Sequence, residues 1–360
     1  MNIGFVVHDF DTREGHGRYA VELVSRLARE HSVTLYAASA TADLPEGVRF
    51  RLVPAVRRPA HATMLTFPTA FAAVRGSHDV VHVQGWSAHS ADVATAHIVL
   101  EAWRDAVRSA HVSPGLGERL LGGAVESREA RFYRSDRVRA VIAPSGRIKE
   151  DLARHYGRKD YVTVVHHAFP AAEPVDHEEA RTRFQLPLDG LVALYAGDAR
   201  KGLDVALKAI AAVDGVRLLV VSRSRLEEYQ AAARTLGVAE RVWWVNGLPD
   251  LTPAYGAADV LLHPTIYDAF GLVVAEAMAH GLIPLVSDQA GIAELVTDRV
   301  SGWVVRPRRP EESAAALRAI QQDGDLRARL ATEARKLAQT RTWDDVASET
   351  VAVYDEVRRS

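Results

Sequence analysis

The chain has 360 residues, room for two domains of ordinary size, and its 48% hydrophobic and 25% charged content excludes a disordered or fibrous polymer. Forty-four Lys and Arg against 46 Asp and Glu give a net charge of −2, so there is no overall basic footprint for nucleic acid. With no cysteine there is no disulfide framework, thiolate nucleophile or zinc ribbon.

In chain order, short apolar runs alternate with amphipathic stretches. Ile3–Val7 predicts a strand, and Tyr19, Leu23, Val24 and Leu27 share one helical face. Val33–Tyr36, Asp79–Val83, Val138–Ala143 and Val162–Val165 continue as strands. Thr163–Ala193, with Pro170, Pro174 and Pro187 around the acidic run Glu173–Glu179, predicts an irregular linker. A second series follows: Leu191–Ala196, a helix carrying Leu203, Leu207 and Ile210, then Arg217–Val221, Val242–Val245, Asp259–His263 and Ile283–Val286. Helices are predicted over Pro310–Gln322, Leu326–Gln339 and Thr342–Val357. Near-continuous apolar strands alternating with helices predict an α/β chain whose parallel sheets are covered on both faces. Two such sheets are expected to leave a cleft at their strand C-termini, the usual place for a small ligand.

Two segments bear on location. Met1–Gly15 contains Asp9, Asp11 and Glu14 and no basic n-region, unlike a secretory signal. Ala269–Val286 is interrupted by Glu276, His280, Gly281 and Pro284, too polar to span a bilayer. A soluble, cytoplasmic protein is expected. Residues 1–170 carry 22 Lys/Arg against 18 Asp/Glu, and residues 171–360 carry 22 against 28, which suggests an anionic partner for the first half.

Several motifs carry chemistry. Gly15-His16-Gly17-Arg18-Tyr19-Ala20 fits G-x-G-x-x-A, but seven residues, His8–Glu14, separate it from the first strand and the second strand ends without an acid. A dinucleotide site is therefore disfavoured, and a glycine loop at a helix N-terminus, or a plain connecting loop, is the reading. Asp9-Phe10-Asp11 is a D-x-D, read as a solvated loop in preference to a metal site. Gly197-Asp198-Ala199-Arg200-Lys201-Gly202 places two cations after a strand and before a helix, suited to a diphosphate or simply to a wet loop. In the run from His263 to Ala279, Asp268 precedes a helix, Gly271 permits close approach to its first amides, and Glu276 falls two turns on in an apolar segment. A carboxylate there needs a partner; a ribose diol would serve, and a buried structural acid is the plainer alternative. No H-E-x-x-H or comparable cluster exists among the fifteen histidines, so no metal site is expected.

Asp268–Met278 resembles the E-x₇-E signature of the retaining GT-B glycosyltransferases of family four. The strand Asp79–Val83, Val141-Ile142-Ala143-Pro144-Ser145, Arg200-Lys201-Gly202, Ala258-Asp259-Val260, Ala290-Gly291-Ile292-Ala293-Glu294 and Thr342-Trp343 all fall in that family's order, and the Arg-Lys-Gly form is similar to the lipopolysaccharide-core glucosyltransferases. The resemblance covers essentially the whole chain. It implies two Rossmann-like domains whose parallel sheets face each other across a cleft: residues 1–170 for the acceptor and 171–341 for the donor, with the final helix, about 342–360, returning to the first. It implies transfer of a sugar from a nucleotide diphosphate sugar, a UDP-sugar that is substrate and not cofactor, to a glycan or glycolipid hydroxyl in cell-envelope synthesis, without metal. By the same resemblance Glu276 would meet the donor ribose and Asp268 the transferred sugar. Arg200 and Lys201 would neutralise the diphosphate, assisted by amides of Phe270, Gly271, Leu272 and Val273. Gly15 and Gly17 would abut phosphates and acceptor, His97 the sugar's primary hydroxyl, and the backbone at Asn246, Gly247 and Leu248 the base.

The chain departs from the pattern at three places. Asp268 stands for the usual first Glu and is shorter by about 1.5 Å. Gly197-Asp198-Ala199-Arg200 displaces the usual arginine, and His166-His167 replaces an Asn-Gly. Arg104, Arg108, Arg119, Arg128, Arg131, Arg134, Arg137 and Arg139 are read as one helical stretch with Trp103, Leu120 and Phe132, either a solvated face or a peripheral contact with anionic membrane. A nucleotide-sugar 2-epimerase of the same fold and a catalytically silent sugar-nucleotide-binding protein stay open as alternatives.

Overall fold

The computed structural model describes residues 1–12, 15–58, 60–112 and 116–359. They make two compact units, Met1–Ala168 with Trp343–Ser360, and Phe169–Thr342. Among the described residues no helix is long and apolar enough to cross a membrane.

Unit 1 runs β1 (Asn2–Val6), β2 (Asp9–Phe10), α1 (Gly15–Glu30), β3 (Ser32–Ala37), β4 (Ser39–Ala40), β5 (Arg49–Leu52), α2 (Ala60–Val74), β6 (Val80–Gln84), β7 (Ala91–Thr95), α3 (Leu100–Ser109), α4 (Leu116–Arg134), β8 (Val138–Ala143), α5 (Gly146–Tyr156) and β9 (Val162–Val164). Seven strands form a parallel sheet in the order β5-β3-β1-β6-β7-β8-β9, with Ile3 opposite both Val33 and Val80. The inner strands are buried at nearly every residue, and β6 at all five, as a sheet covered on both faces requires. The order reverses between β1 and β6, so the loops after these strands diverge and open a crevice at their C-termini. The helix Trp343–Arg359 completes this unit: the Trp343 ring lies 5.8 Å from that of Tyr19, and Asp344 pairs with Arg26 at 3.1 Å and Arg29 at 3.0 Å.

Three local expectations change here. Gly15 and Gly17 belong to the first turn of α1 and not to a loop, and Gly17 is buried against the Asp11 carbonyl, where a Cβ would come within 2.6 Å. Arg13 and Glu14, within the segment His8–Glu14, lie outside the described residues. Asp9 of the D-x-D sits in a short strand pair with β4, accepting from the Ser39 hydroxyl and facing Arg57 at 3.4 Å. The arginine-rich stretch is not one helix: α3 ends at a left-handed His111 (φ 55°), and Arg139 lies on β8. Arg104 is tied to Glu126, Arg134 donates to the His155 carbonyl at 2.9 Å, and Arg139 faces Asp92 at 3.5 Å.

Glu129, buried on α4, accepts from the Leu100 amide at the start of α3 at 2.8 Å and from the Tyr156 hydroxyl of α5, so one carboxylate joins three helices. Burial pushes its pKa up to about 7. The folded state therefore holds a proton that the unfolded chain releases near pH 4.5, and stability falls as pH rises between these values. Glu129→Gln keeps an acceptor for both donors and removes the desolvated charge. Thermal melts are expected to show the variant a few degrees more stable than wild type at pH 8, the gap closing by pH 4.5; a pH-independent gap contradicts this linkage.

Unit 2 runs α6 (His177–Arg183), β10 (Val192–Ala196), a 3₁₀ turn (Ala199–Lys201), α7 (Leu203–Ala211), β11 (Arg217–Ser222), α8 (Glu227–Thr235), β12 (Val242–Asn246), α9 (Thr252–Ala257), β13 (Val260–His263), α10 (Leu272–Ala279), β14 (Ile283–Ser287), β15 (Trp303–Val305), α11 (Pro310–Gln322) and α12 (Gly324–Leu337). Six strands form a parallel sheet in the order β12-β11-β10-β13-β14-β15, with Ala193 opposite both Leu218 and Val260. The order reverses between β10 and β13. The expected linker is only partly irregular: α6, capped by Asp176 accepting from the Glu179 amide at 2.8 Å, is packed against α9. Its Arg181 is 2% exposed, pairs with Asp259 at 2.9 Å and donates to the carbonyls of Ala257, Pro187, Leu188 and Gly190.

Candidate active site

Each unit carries a cluster of polar side chains at its strand C-termini. In unit 2 the cluster stands at the switch point, where the loops after β10 and β13 are neighbours by topology. Lys201 Nζ donates to Asp268 Oδ2 at 3.1 Å, and the buried His263 at the end of β13 places Nε2 3.4 Å from the same oxygen. Burial alone would raise the Asp268 pKa, but the Lys201 charge and the His263 contact outweigh it and hold the carboxyl well below the usual carboxylate range. Asp268 is thus an anion with one oxygen committed to the Lys201 ammonium and facing the His263 ring. Its backbone is braced as well, its amide donating to the Gln289 carbonyl at 3.0 Å and its own carbonyl accepting from the Gly291 amide at 3.0 Å.

Arg200 lies beside Lys201 but turns to Asp198, which takes its guanidinium at 2.8–3.3 Å and caps the 3₁₀ turn by accepting from the Arg200 amide at 3.0 Å. Both cations expected to face a diphosphate are therefore held by acids, Arg200 by Asp198 and Lys201 by Asp268. Asp198 and His263 were within the quoted motifs without a role; the signal for Asp198 is its position two residues before the arginine, where a side chain can cap the turn it opens.

Phe270 is buried and Gly271 opens α10 with a left-handed φ of 101°. Leu272 and Val273 are half-buried in the first turn, where helix amides lack internal partners. Glu276, 7% exposed on the second turn, accepts from the Tyr255 hydroxyl at 2.6 Å, and the Tyr255 ring stacks on His280 with centroids 5.0 Å apart. The partner that the isolated sequence demanded for this acid is thus, at least in part, a tyrosine of α9. Gly247 and Leu248 follow β12, two strands from β10 and roughly 10 Å along the sheet edge. Gly247 is left-handed (φ 66°) and the Leu248 carbonyl accepts from Arg223 at 3.3 Å. In unit 2 Arg200, Lys201, Gly247, Leu248 and Asp268 follow the ends of β10, β12 and β13, and Lys201 and Asp268 are in direct contact.

In unit 1, His97 follows β7. Its Nε2 lies 2.7 Å from Gln84 Oε1, and its ring lies near Tyr19, His167 and His16 at centroid distances of 5.0, 5.8 and 6.4 Å. Burial, reinforced by His167, His16 and His82, holds its pKa well below the normal imidazole value, so His97 is neutral at physiological pH. His16 puts the first turn of α1, with Gly15 and Gly17, at the edge of this cluster. Among the described residues no group of three or more His, Asp or Glu is placed to hold a metal ion.

Comparison with known proteins gives a consistent result. Residues 176–337 match the family model for glycosyl transferases group 1, and residues 13–173 that for glycosyltransferase family 4. A D-inositol 3-phosphate glycosyltransferase of Xylanimonas cellulosilytica is 31% identical over 78% of this chain and 72% of its own length; its counterpart in Streptomyces coelicolor is 29% identical over 94% and 86%. WaaG, a glycosyltransferase of lipopolysaccharide biosynthesis, shares the fold with a TM-score of 0.79 at 21% identity, covering 98% of this chain and 99% of its own. HepE of Anabaena, solved with UDP-glucose, gives 0.73 at 17% identity over 100% and 98%.

Proposed function

The chain belongs to the group 1 glycosyl transferases, family four, with the GT-B fold, and from that premise we propose that it transfers a hexose from a UDP-sugar to a hydroxyl acceptor with retention at the anomeric carbon. The observation that carries the donor assignment is the contact of Lys201 with Asp268 at the switch point of unit 2. A diphosphate arriving there competes with two carboxylates for Lys201 and Arg200, while Asp268 turns its remaining oxygen to the sugar hydroxyls. Glu276, already engaged by Tyr255, accepts from the ribose, and the backbone at Gly247 and Leu248 serves the base. The transition state is oxocarbenium-like, and charge grows on the departing phosphate. Fixed cations and the α10 amides at Phe270–Val273 meet that charge without a metal ion. The departing phosphate takes the acceptor proton in a same-face substitution. In unit 1, the exposed Gly15 at the first turn of α1 serves the acceptor, and His97 a sugar hydroxyl.

Two acceptor classes are in play. The likeness to WaaG supports a glycolipid or other envelope glycan, for which the exposed arginines of α4 would add contact with an anionic membrane. The relatives' name supports a phosphorylated cyclitol.

Incubation with a panel of nucleotide sugars and both acceptor classes tests the reading, with the product's anomeric configuration read by NMR. The expected result is slow release of free nucleotide without acceptor, and an axial or equatorial linkage matching the donor's. An isomerised nucleotide sugar would instead identify an epimerase, and binding without turnover across the panel a silent binding protein. A donor at a hundred times its dissociation constant should stabilise the fold by about 2.7 kcal/mol.

A further inference from the structure

His82 and Gln84 alternate along β6 and so point to the same face of the sheet; both are buried, and Thr95 of β7 lies opposite Gln84. His82 is engaged at both nitrogens. Its Nδ1 lies 2.6 Å from the Tyr354 hydroxyl of the C-terminal helix, and its Nε2 lies 2.8 Å from Thr95 Oγ1 and 3.3 Å from Gln84 Nε2. The Gln84 amide thereby aims its nitrogen at one histidine and its oxygen, at 2.7 Å, at Nε2 of the other, His97.

The two ends of an amide are chemically opposite: the NH₂ only donates and the oxygen only accepts. With the NH₂ on His82, the oxygen has to receive a proton from His97 Nε2–H. A neutral imidazole carries one N–H, so Nδ1 of His97 is left as the lone-pair nitrogen, and it makes no hydrogen bond among the described residues.

We propose that Gln84 is a positioning residue that fixes His97 as the Nε2–H tautomer, so that His97 presents Nδ1 as the acceptor for a substrate hydroxyl. Only the use of Nδ1 toward a substrate rests on the transfer reading above; the tautomer is a property of the chain alone. This orientation goes with His82 as the Nδ1–H tautomer, donating to the Tyr354 hydroxyl and accepting from the Gln84 NH₂ at Nε2. The groups facing His97 are His16 and Tyr19 of α1, His167 after β9, and His82 and Gln84 of β6.

The test is a long-range ¹H–¹⁵N spectrum of the full chain labelled at histidine, at pH 7.5, with His97 assigned by the signals that vanish in His97→Gln. The expected wild-type pattern is proton on Nε2 and lone pair on Nδ1; the reverse pattern overturns the proposal and needs no variant to be read. Gln84→Met should turn the single tautomer into a mixture, and an unchanged Nε2–H signal there overturns it too. Gln84→Glu restores an acceptor and adds a charge, so His97 should protonate at higher pH than in wild type. In the transfer assay Gln84→Met should lose about tenfold in kcat, the worth of one hydrogen bond, with the donor KM little changed. The wild-type tautomer as expected, in a chain that transfers no sugar, would count against the transferase reading and leave the assignment of His97 standing.

Discussion

Replacing Lys201 with methionine is expected to lower turnover by about 10²–10³-fold, the scale of removing one preorganised group from a developing anion. Methionine keeps the length of the stem and deletes only the ammonium. The fold should persist, because Lys201 is a third exposed and its pair with Asp268 links two loops that backbone bonds already hold. A second signature goes with the loss of rate. Burial pushes the Asp268 carboxyl up and the Lys201 charge is the largest influence holding it down. Without that charge the acid limb of the pH–rate profile should move to higher pH. Asp268→Asn should do something different: it releases Lys201 and removes a negative neighbour, so free nucleoside diphosphate should bind several-fold tighter by calorimetry while transfer falls. Tighter diphosphate binding with poorer turnover distinguishes a shared cation from a merely structural ion pair. Equal weakening of both would contradict the assignment.

Arg181→Met should cost unit 2 about 3–5 kcal/mol, the range for removing one partner of a buried pair. The guanidinium is the shared donor for four carbonyls and for Asp259, whose Oδ2 also accepts from the Val192 amide at the head of β10. Methionine fills the volume but satisfies none of them, and each buried carbonyl left without a donor carries its own desolvation cost. Asp259→Asn should be milder, since the amide oxygen can still cap Val192. Hydrogen exchange separates the units: amides of β10 to β15 should exchange faster in Arg181→Met while those of β1 to β9 keep their protection. Uniform acceleration would contradict a role confined to unit 2.

Much of the fold could be read from apolar runs. Val138–Ala143 emerges as the strand expected, and Pro310–Gln322 as the helix, because in both the period and the flanking residues agree. The elements that escaped lack one of these signals. β5 is exposed at every residue and so shows no burial pattern, and α2 carries Pro68 in its interior. α6 hid inside a proline-rich acidic run, and its key residue is a buried arginine, which hydropathy reads as solvent-facing. At the candidate site the residue types were legible and their partners were not. Glu276 demanded a donor, but Tyr255 stands 21 positions away; Lys201 and Asp268 meet across 67 positions, through a strand order that no local pattern encodes.

The close approach of the two switch-point loops has a mechanical consequence. At Gly202 (φ 132°) any Cβ would sit 2.4 Å from the Pro264 carbonyl oxygen, and the Ile266 amide donates to the Lys201 carbonyl at 3.2 Å. The turn bearing the lysine and the segment bearing the aspartate are thereby interlocked main chain to main chain, like two links of a hinge pinned at one point. A ligand that pulls on either side chain would move both segments in step, so that under the proposed function occupancy of the pyrophosphate position and placement of the sugar would be a single mechanical event.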